Sequence, residues 1–370
     1  MDKQLFVTTI PHFSETNLNS FCWFLEYGLS DELRNFASAL NLNEKLNIRV
    51  YSEEFVLKRP KYSSVQCKRY DLTYAIRIYV PIELIEEGTV NEYLAFFGEI
   101  PLMTEEGTFI INGCERVIIN QIIRSPGIYY RRETQEKTLQ YSATLISDRG
   151  SWLKFEFETG TVQIRLNKAT TVDFYHLLET CGITNFDPST KFNLAILNKS
   201  IQQTPISDFD TNLLTKNLTN NQNINFDSNK GSEDNYLQIF NEKVYSLGKI
   251  GRKKLNSRLG LSIPDSITRV TIDDVIAISN YLVDLHANLG ELDDIDNLRN
   301  RRVRSIGELL QIQYGIGLSR LERSINERLM ITNSTAFKVA TIINPKPIIA
   351  SIKEFFGSSQ LSQFMDQTNP

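Results

Sequence analysis

Thr108-Phe109-Ile110-Ile111-Asn112-Gly113-Cys114-Glu115-Arg116-Val117-Ile118-Ile119 is the stretch on which the fold reading turns. Two β-rich apolar runs meet at Asn112-Gly113, and Asn-Gly is the strongest short-range hairpin signal because both residues tolerate positive φ. Upstream, Leu72, Tyr74, Ile76, Ile78 and Val80 alternate with Thr73, Ala75, Arg77 and Tyr79. That period of two predicts a strand with one buried face. Downstream, Leu153, Phe155 and Phe157 alternate with Lys154, Glu156 and Glu158, and Gly160 turns the chain into Val162, Ile164 and Leu166. This second hairpin is half-exposed and opens a separate domain near residue 142.

Helical periodicity dominates later. The pattern shifts toward helix from about 167 to 205, and Thr211 to Lys230 then holds seven asparagines. So polar a composition predicts a disordered or expanded loop over about 206–244. Val275, Ile276, Ile278, Leu282 and Leu285 form an apolar stripe over Thr271–Leu289. The clearest helix carries Leu310, Tyr314, Leu318, Leu321, Ile325 and Leu329 on one face, with Arg320, Arg323, Glu327 and Arg328 elsewhere. No internal repeat is found.

A length of 370 residues accommodates two or three domains, and 41% hydrophobic with 23% charged residues is an ordinary soluble composition. The net charge of −4 means that nucleic-acid binding would need local basic clusters. Cys22, Cys67, Cys114 and Cys181 form no CxxC pair, so reduced and mostly buried thiols are expected. His12, His176 and His286 are equally scattered, and no metal site is expected. The N-terminus lacks the features of a signal or transit peptide, and no run is long enough to span a membrane. A soluble protein retained in the compartment of its synthesis is the expectation.

No enzyme site announces itself. There is no P-loop, and Gly315-Ile316-Gly317 lies inside a helical pattern. Asp293, Asp294 and Asp296 stand beside Arg299, Arg301, Arg302 and Arg304, which favours ion pairs or acceptor roles over metal binding. A second basic cluster is Lys249, Arg252, Lys253, Lys254 and Arg258. Either cluster reads as a solvated surface or, since self-repulsion disfavours dense cations, as an anion site.

Several long motifs occur in one order: 98–104, 107–113, Glu115-Arg116-Val117-Ile118, Arg124-Ser125-Pro126-Gly127, Leu292-Asp293-Asp294-Ile295-Asp296, Asn300–Ser305 and Lys353–Gln367. Arg149-Gly150-Ser151-Trp152-Leu153 and Gly251–Asn256 accompany them. The ordered set resembles the N-terminal section of the β subunit of bacterial and plastid RNA polymerase. The resemblance is strong over about 92–158 and 246–370, and weak before residue 90 and through the asparagine-rich stretch. It implies an α+β, multidomain fold with mixed β-sheets and packed helices. The implied layout is a protrusion (1–141), a lobe (142–298), a return to the protrusion (299–352) and the start of an RNA-facing, rifamycin-pocket region (353–370).

The resemblance also implies site residues. Ile295, Asp296, Arg301 and Arg304 would contact DNA, and Arg124-Ser125-Pro126-Gly127 would be a structural corner near the cleft. Asp296 can accept both donors of an unstacked guanine, Arg301 can hold phosphate or base edge, and Ile295 can supply apolar packing. The plainer reading is that Asp296 pairs with Arg301 or Arg304. Thr144 stands where many bacterial relatives carry an arginine, which implies weaker selectivity. Gln360, Gln363, Phe364 and Asp366 would lie on the RNA side, though residues alone read this end as a loop. No catalytic residue, metal ligand or cofactor is implied for the chain; Mg²⁺ would be held by β′.

Implied partners are the remaining β polypeptide, β′ and α subunits, a sigma-type factor, DNA and nascent RNA, and no membrane. The end at Pro370, inside a motif, implies a naturally split subunit or a fragment. The opening segment and the Asn/Ile/Lys enrichment favour a plastid, most like a green algal split subunit, over bacterial cytoplasm. A stand-alone DNA-binding or scaffold protein derived from a polymerase gene is the alternative.

Overall fold

A computed structural model describes residues 14–40, 48–86, 89–135, 138–158, 161–166, 170–174, 245–331, 343–366 and 368. In chain order the first elements are α1 (Glu15–Trp23), a π-helical turn (Phe24–Gly28), α2 (Leu29–Leu40), β1 (Ile48–Val50), β2 (Val56–Lys58) and α3 (Ser64–Arg69). Next come β3 (Ala75–Glu86), β4 (Thr89–Pro101), β5 (Phe109–Ile111), β6 (Cys114–Ile118) and β7 (Gln121–Arg124). Then follow β8 (Gly127–Gln135), β9 (Thr138–Ile146), β10 (Leu153–Glu158), β11 (Thr161–Leu166), β12 (Thr170–Asp173), α4 (Gly248–Leu259) and α5 (Ile272–His286). A 3₁₀ turn (Leu298–Asn300), β13 (Arg301–Arg304), α6 (Ile306–Ile331), α7 (Lys346–Ser358) and β14 (Ser362–Phe364) complete the chain. It divides into two compact units, one of Met1–Ile122 with Val303–Pro370, the other of Ile123–Arg302.

In the first unit β3 is the hub. β4 pairs along its whole length, while β1 and β2 pair with its two halves. Ile76, Ile78, Val80 and Ile82 are buried, whereas Arg77 is exposed, as the alternation predicts. Phe97 is an extra residue in β4 between the Ile78–Gly98 and Tyr79–Phe96 pairs. This bulge holds Gly98 at φ 122°, where a side chain would be strained. The hairpin at Asn112-Gly113 forms with φ of 49° and 77°, the left-handed pair that an Asn-Gly turn supplies.

Leu310, Tyr314, Leu318, Leu321 and Ile325 of α6 enter the same core with Phe21, Phe24, Ile348 and Phe356. The glycines of α6 are points of close approach. A Cβ on Gly307 would stand 2.1 Å from the Ser20 carbonyl oxygen, and one on Gly315 would stand 2.6 Å from a Glu32 oxygen.

In the second unit β12-β11-β10-β9-β8 form one sheet. Tyr130, Tyr141, Ala143, Phe155, Val162 and Ile164 cover its apolar face against Leu255, Val275, Ile278 and Leu282 of α4 and α5. Thr271 caps α5 reciprocally with Asp274. On the other face Thr144, Lys154 and Arg165 stand in facing register positions, and Arg131 faces Ser142 in the neighbouring row.

The fold is α+β, with helices and sheets in each unit. The ladders of β1–β6, β8–β12 and β14 are antiparallel. A boundary at 141/142 falls inside β9, which is hydrogen-bonded to β8 along its length. The compact units divide at 122/123 and 302/303, within β7 and β13.

Cys67 is buried, but Cys22 and Cys114 are exposed, against the expectation of mostly buried thiols. The expanded loop over 206–244, most of the helical tendency over 167–205, and His12, His176 and Cys181 lie outside the described residues; β12 within that stretch is a strand.

Candidate nucleic-acid interface

Three consecutive residues of β8 hold the loop that carries the aspartates. Tyr129 packs with Ile146 on Ile295, all three buried. Tyr130 donates its N–H to Asp293 Oδ2 at 3.2 Å and accepts the Asp293 N–H at 2.9 Å. Arg131 Nη2 lies 3.8 Å from Asp296 Oδ2. Local turns stiffen the loop: the Asp296 N–H donates to Asp294 Oδ1, and Asn300 Nδ2 donates to the Asp294 carbonyl. Arg124-Ser125-Pro126-Gly127 is tied in as a corner, with the Ser125 N–H donating to the Asn300 carbonyl and Tyr129 Oη donating to the Ser125 carbonyl.

Asp296 is exposed and surrounded by guanidinium groups. Arg301 Nη2 donates to Oδ1 at 3.0 Å, and Arg124 Nη2 stands 3.7 Å from the same oxygen. The hydrogen bond from Arg301 foremost, with the charges of Arg124, Arg301 and Arg131, holds the carboxyl below its ordinary pKa. Three cations around one anion leave a local positive excess, which attracts a polyanion despite the acidic whole. Trp152 is 47% exposed, and the Arg124 guanidinium carbon lies 5.5 Å from its ring centroid. An exposed aromatic beside cations and a fixed carboxylate can stack a base, hold its phosphate and read its edge.

Asp296 and Arg301 are brought together. Ile295 is only 2% exposed, so its side chain anchors the loop instead of presenting an apolar surface to a base. Arg304 makes no ion pair among the described residues, and its Nε is buried without a hydrogen bond. Thr144 is half-buried and pairs with Tyr129 and Lys154. Arg131 and Trp152 were not legible as site residues: Arg131 lies in no motif that the sequence singles out, and Trp152 enters only as part of one. Arg124 carried a signal in its motif, but as a corner.

The second basic cluster separates into different roles. Arg252 is fully buried and bonded to Asp274, while Arg258 pairs with Asp293 at 3.2 Å and lies over Tyr281. Among the described residues no group of three or more His, Cys, Asp or Glu side chains is placed to hold a metal ion.

At the other end of the chain, Ser362–Phe364 is an edge strand paired with β6 rather than a loop. Gln360, Gln363 and Phe364 are exposed, and the Arg116 guanidinium lies 4.2 Å from the Phe364 ring centroid. Asp366 accepts hydrogen bonds from the Thr368 side chain and backbone, which hold its carboxyl below the ordinary value.

Residues 124–304 match the family model described as RNA polymerase Rpb2, domain 2, a span that closely follows the second compact unit. The chain is 44% identical over 367 residues to a DNA-directed RNA polymerase subunit beta of Guillardia theta, covering 98% of this chain and 34% of that protein. It is 44% identical over 368 residues to the subunit beta of Synechococcus elongatus, and 44% identical over 375 residues to that of a Synechocystis strain. These alignments cover 98% and 99% of this chain, and 34% of each relative. The fold and matches place the chain in the RNA polymerase β-subunit family. It corresponds to an N-terminal section and spans about a third of the length of the curated relatives it matches.

Proposed function

We propose that this chain serves in DNA-dependent RNA synthesis as one wall of the nucleic-acid cleft, positioning DNA and the RNA–DNA hybrid. The carrying observation is the exposed Asp296 carboxylate held among Arg124, Arg131 and Arg301. Asp296 reads an unpaired non-template base, Arg124 and Arg301 hold its phosphate, and Trp152 offers a stacking face. Gln360, Gln363, Phe364 and Asp366 face nascent RNA. Nucleotidyl transfer takes place at Mg²⁺ ions held by β′, outside this chain. The partners are the rest of β, β′, α and a sigma-type factor, and the compartment is a plastid.

Capture of the tagged chain from its source at moderate salt tests this. Recovery of the other polymerase subunits with Mg²⁺-dependent RNA synthesis supports the proposal. Recovery of the chain alone, with salt-sensitive DNA binding, favours an independent DNA-binding or scaffold protein.

A further inference from the structure

We infer that Arg131 is a specificity-determining residue of this site: with Asp296 it forms an acceptor–acceptor–donor array complementary to the Watson–Crick edge of guanine. The inference rests on the base-reading role proposed for Asp296. The geometry divides the carboxylate into two unequal halves. Oδ1 already accepts from Arg301 at 3.0 Å and has Arg124 at 3.7 Å, whereas Oδ2 accepts no hydrogen bond among the described residues. Arg131 stands beside Oδ2, but at 3.8 Å it is beyond hydrogen-bond reach. Its side-chain N–H donors make no hydrogen bond among the described residues, so they are unspent. Its placement is also built: Tyr130, the preceding residue, exchanges two hydrogen bonds with Asp293, fixing β8 against the loop that carries Asp296.

Guanine presents two adjacent donors and then a carbonyl acceptor along that edge. A carboxylate accepts the two donors, and a guanidinium on the outer side of the second oxygen donates to the carbonyl. Cytosine, thymine and adenine each put an acceptor or an apolar position where this array needs a donor. Asp296 alone recognises the donors; Arg131 adds recognition of the carbonyl.

The test uses the polymerase purified through this chain on scaffolds that differ only in one unpaired non-template base: guanine, 2-aminopurine (which keeps the amino donor but lacks both the N1–H donor and the carbonyl) or thymine. Complex lifetimes are compared for the wild type, Arg131→Met and Asp296→Ala. Arg131→Met is expected to shorten the guanine complex about tenfold relative to thymine, the worth of one charge-assisted hydrogen bond. The 2-aminopurine complex should keep its lifetime relative to thymine, because the general loss of one cation affects all bases alike. An unchanged or increased guanine preference in Arg131→Met, with Asp296→Ala removing it, overturns this inference alone. A wild-type enzyme indifferent to the base overturns both this inference and the base-reading role.

Discussion

Tyr130 and Asp293 exchange two hydrogen bonds, one from the Tyr130 N–H to the Asp293 carboxylate at 3.2 Å and one from the Asp293 N–H to the Tyr130 carbonyl at 2.9 Å. The same carboxylate pairs with Arg258, so one half-buried side chain fastens the aspartate loop both to a strand edge and to α4. Asp293→Ala is expected to lower stability by about 1–3 kcal/mol, since it strands a backbone donor and a cation. It should also weaken base discrimination without touching a base. Asp293→Asn keeps an acceptor and should restore most of both. Thermal unfolding and scaffold lifetimes measure the two effects separately; a stable Asp293→Ala with full discrimination would show that the loop needs no such clamp.

A second expectation concerns Arg252, which is wholly buried. Its Nη1 lies 2.6 Å from Asp274 Oδ1, its Nε donates to the Ile267 carbonyl at 2.7 Å, and its remaining nitrogen donates to the Arg269 carbonyl. Arg252→Met leaves Asp274 buried without its cation and should cost about 3–5 kcal/mol. Adding Asp274→Leu should recover part of that loss, because an apolar pair of similar volume needs no compensating charge. A thermal melt of the two variants beside the wild type decides it, and an Arg252→Met chain as stable as wild type would refute the structural assignment.

Gly307 predicts a steric result. Its N–H donates to Ser20 Oγ at 2.9 Å, and an added Cβ would collide with the Ser20 carbonyl. Gly307→Ala should destabilise the first unit by about 1–3 kcal/mol or more, since backbone must move to admit one methyl group. Gly260→Ala is the control for backbone strain without a clash, because its Cβ would meet nothing within 4 Å although φ is 67°. Equal unfolding temperatures for wild type and Gly307→Ala would contradict the close helix approach.

Much of this architecture was legible because periodicity and burial coincide. The alternation around Ile76–Val80, the Asn112-Gly113 turn and the stripe from Leu310 to Ile325 each reappear as elements of the same kind. The division at 122/123 and 302/303 was not legible, because it rests on which segments distant in sequence pack into one unit. Within the site, Asp296 and Arg301 are five residues apart and could be paired from their spacing. Arg131 reaches Asp296 from more than a hundred residues away, and only the folded sheet reveals it. Ile295 entered the site only through the family resemblance; its burial with Tyr129 and Ile146 is again a contact that the folded sheet alone reveals.

The Asp296 carboxyl, held below its ordinary value first by the Arg301 hydrogen bond, remains ionised as pH falls through the usual carboxylate range. Its contribution is present above that range and is lost only as pH drops through the lowered value, so base preference should be the same at about pH 8 and about pH 6. A preference that titrates between those pH values would assign the reading to another group.

The most direct test is Asp296→Ala in the polymerase assembled with this chain, measured as complex lifetime on scaffolds carrying each of the four unpaired non-template bases. The wild type is expected to hold guanine longest, and Asp296→Ala to erase that advantage, with a loss of about 1–3 kcal/mol for a bidentate base contact. A wild-type enzyme that treats all four bases alike, or an Asp296→Ala enzyme that still prefers guanine, would contradict the role assigned to this site.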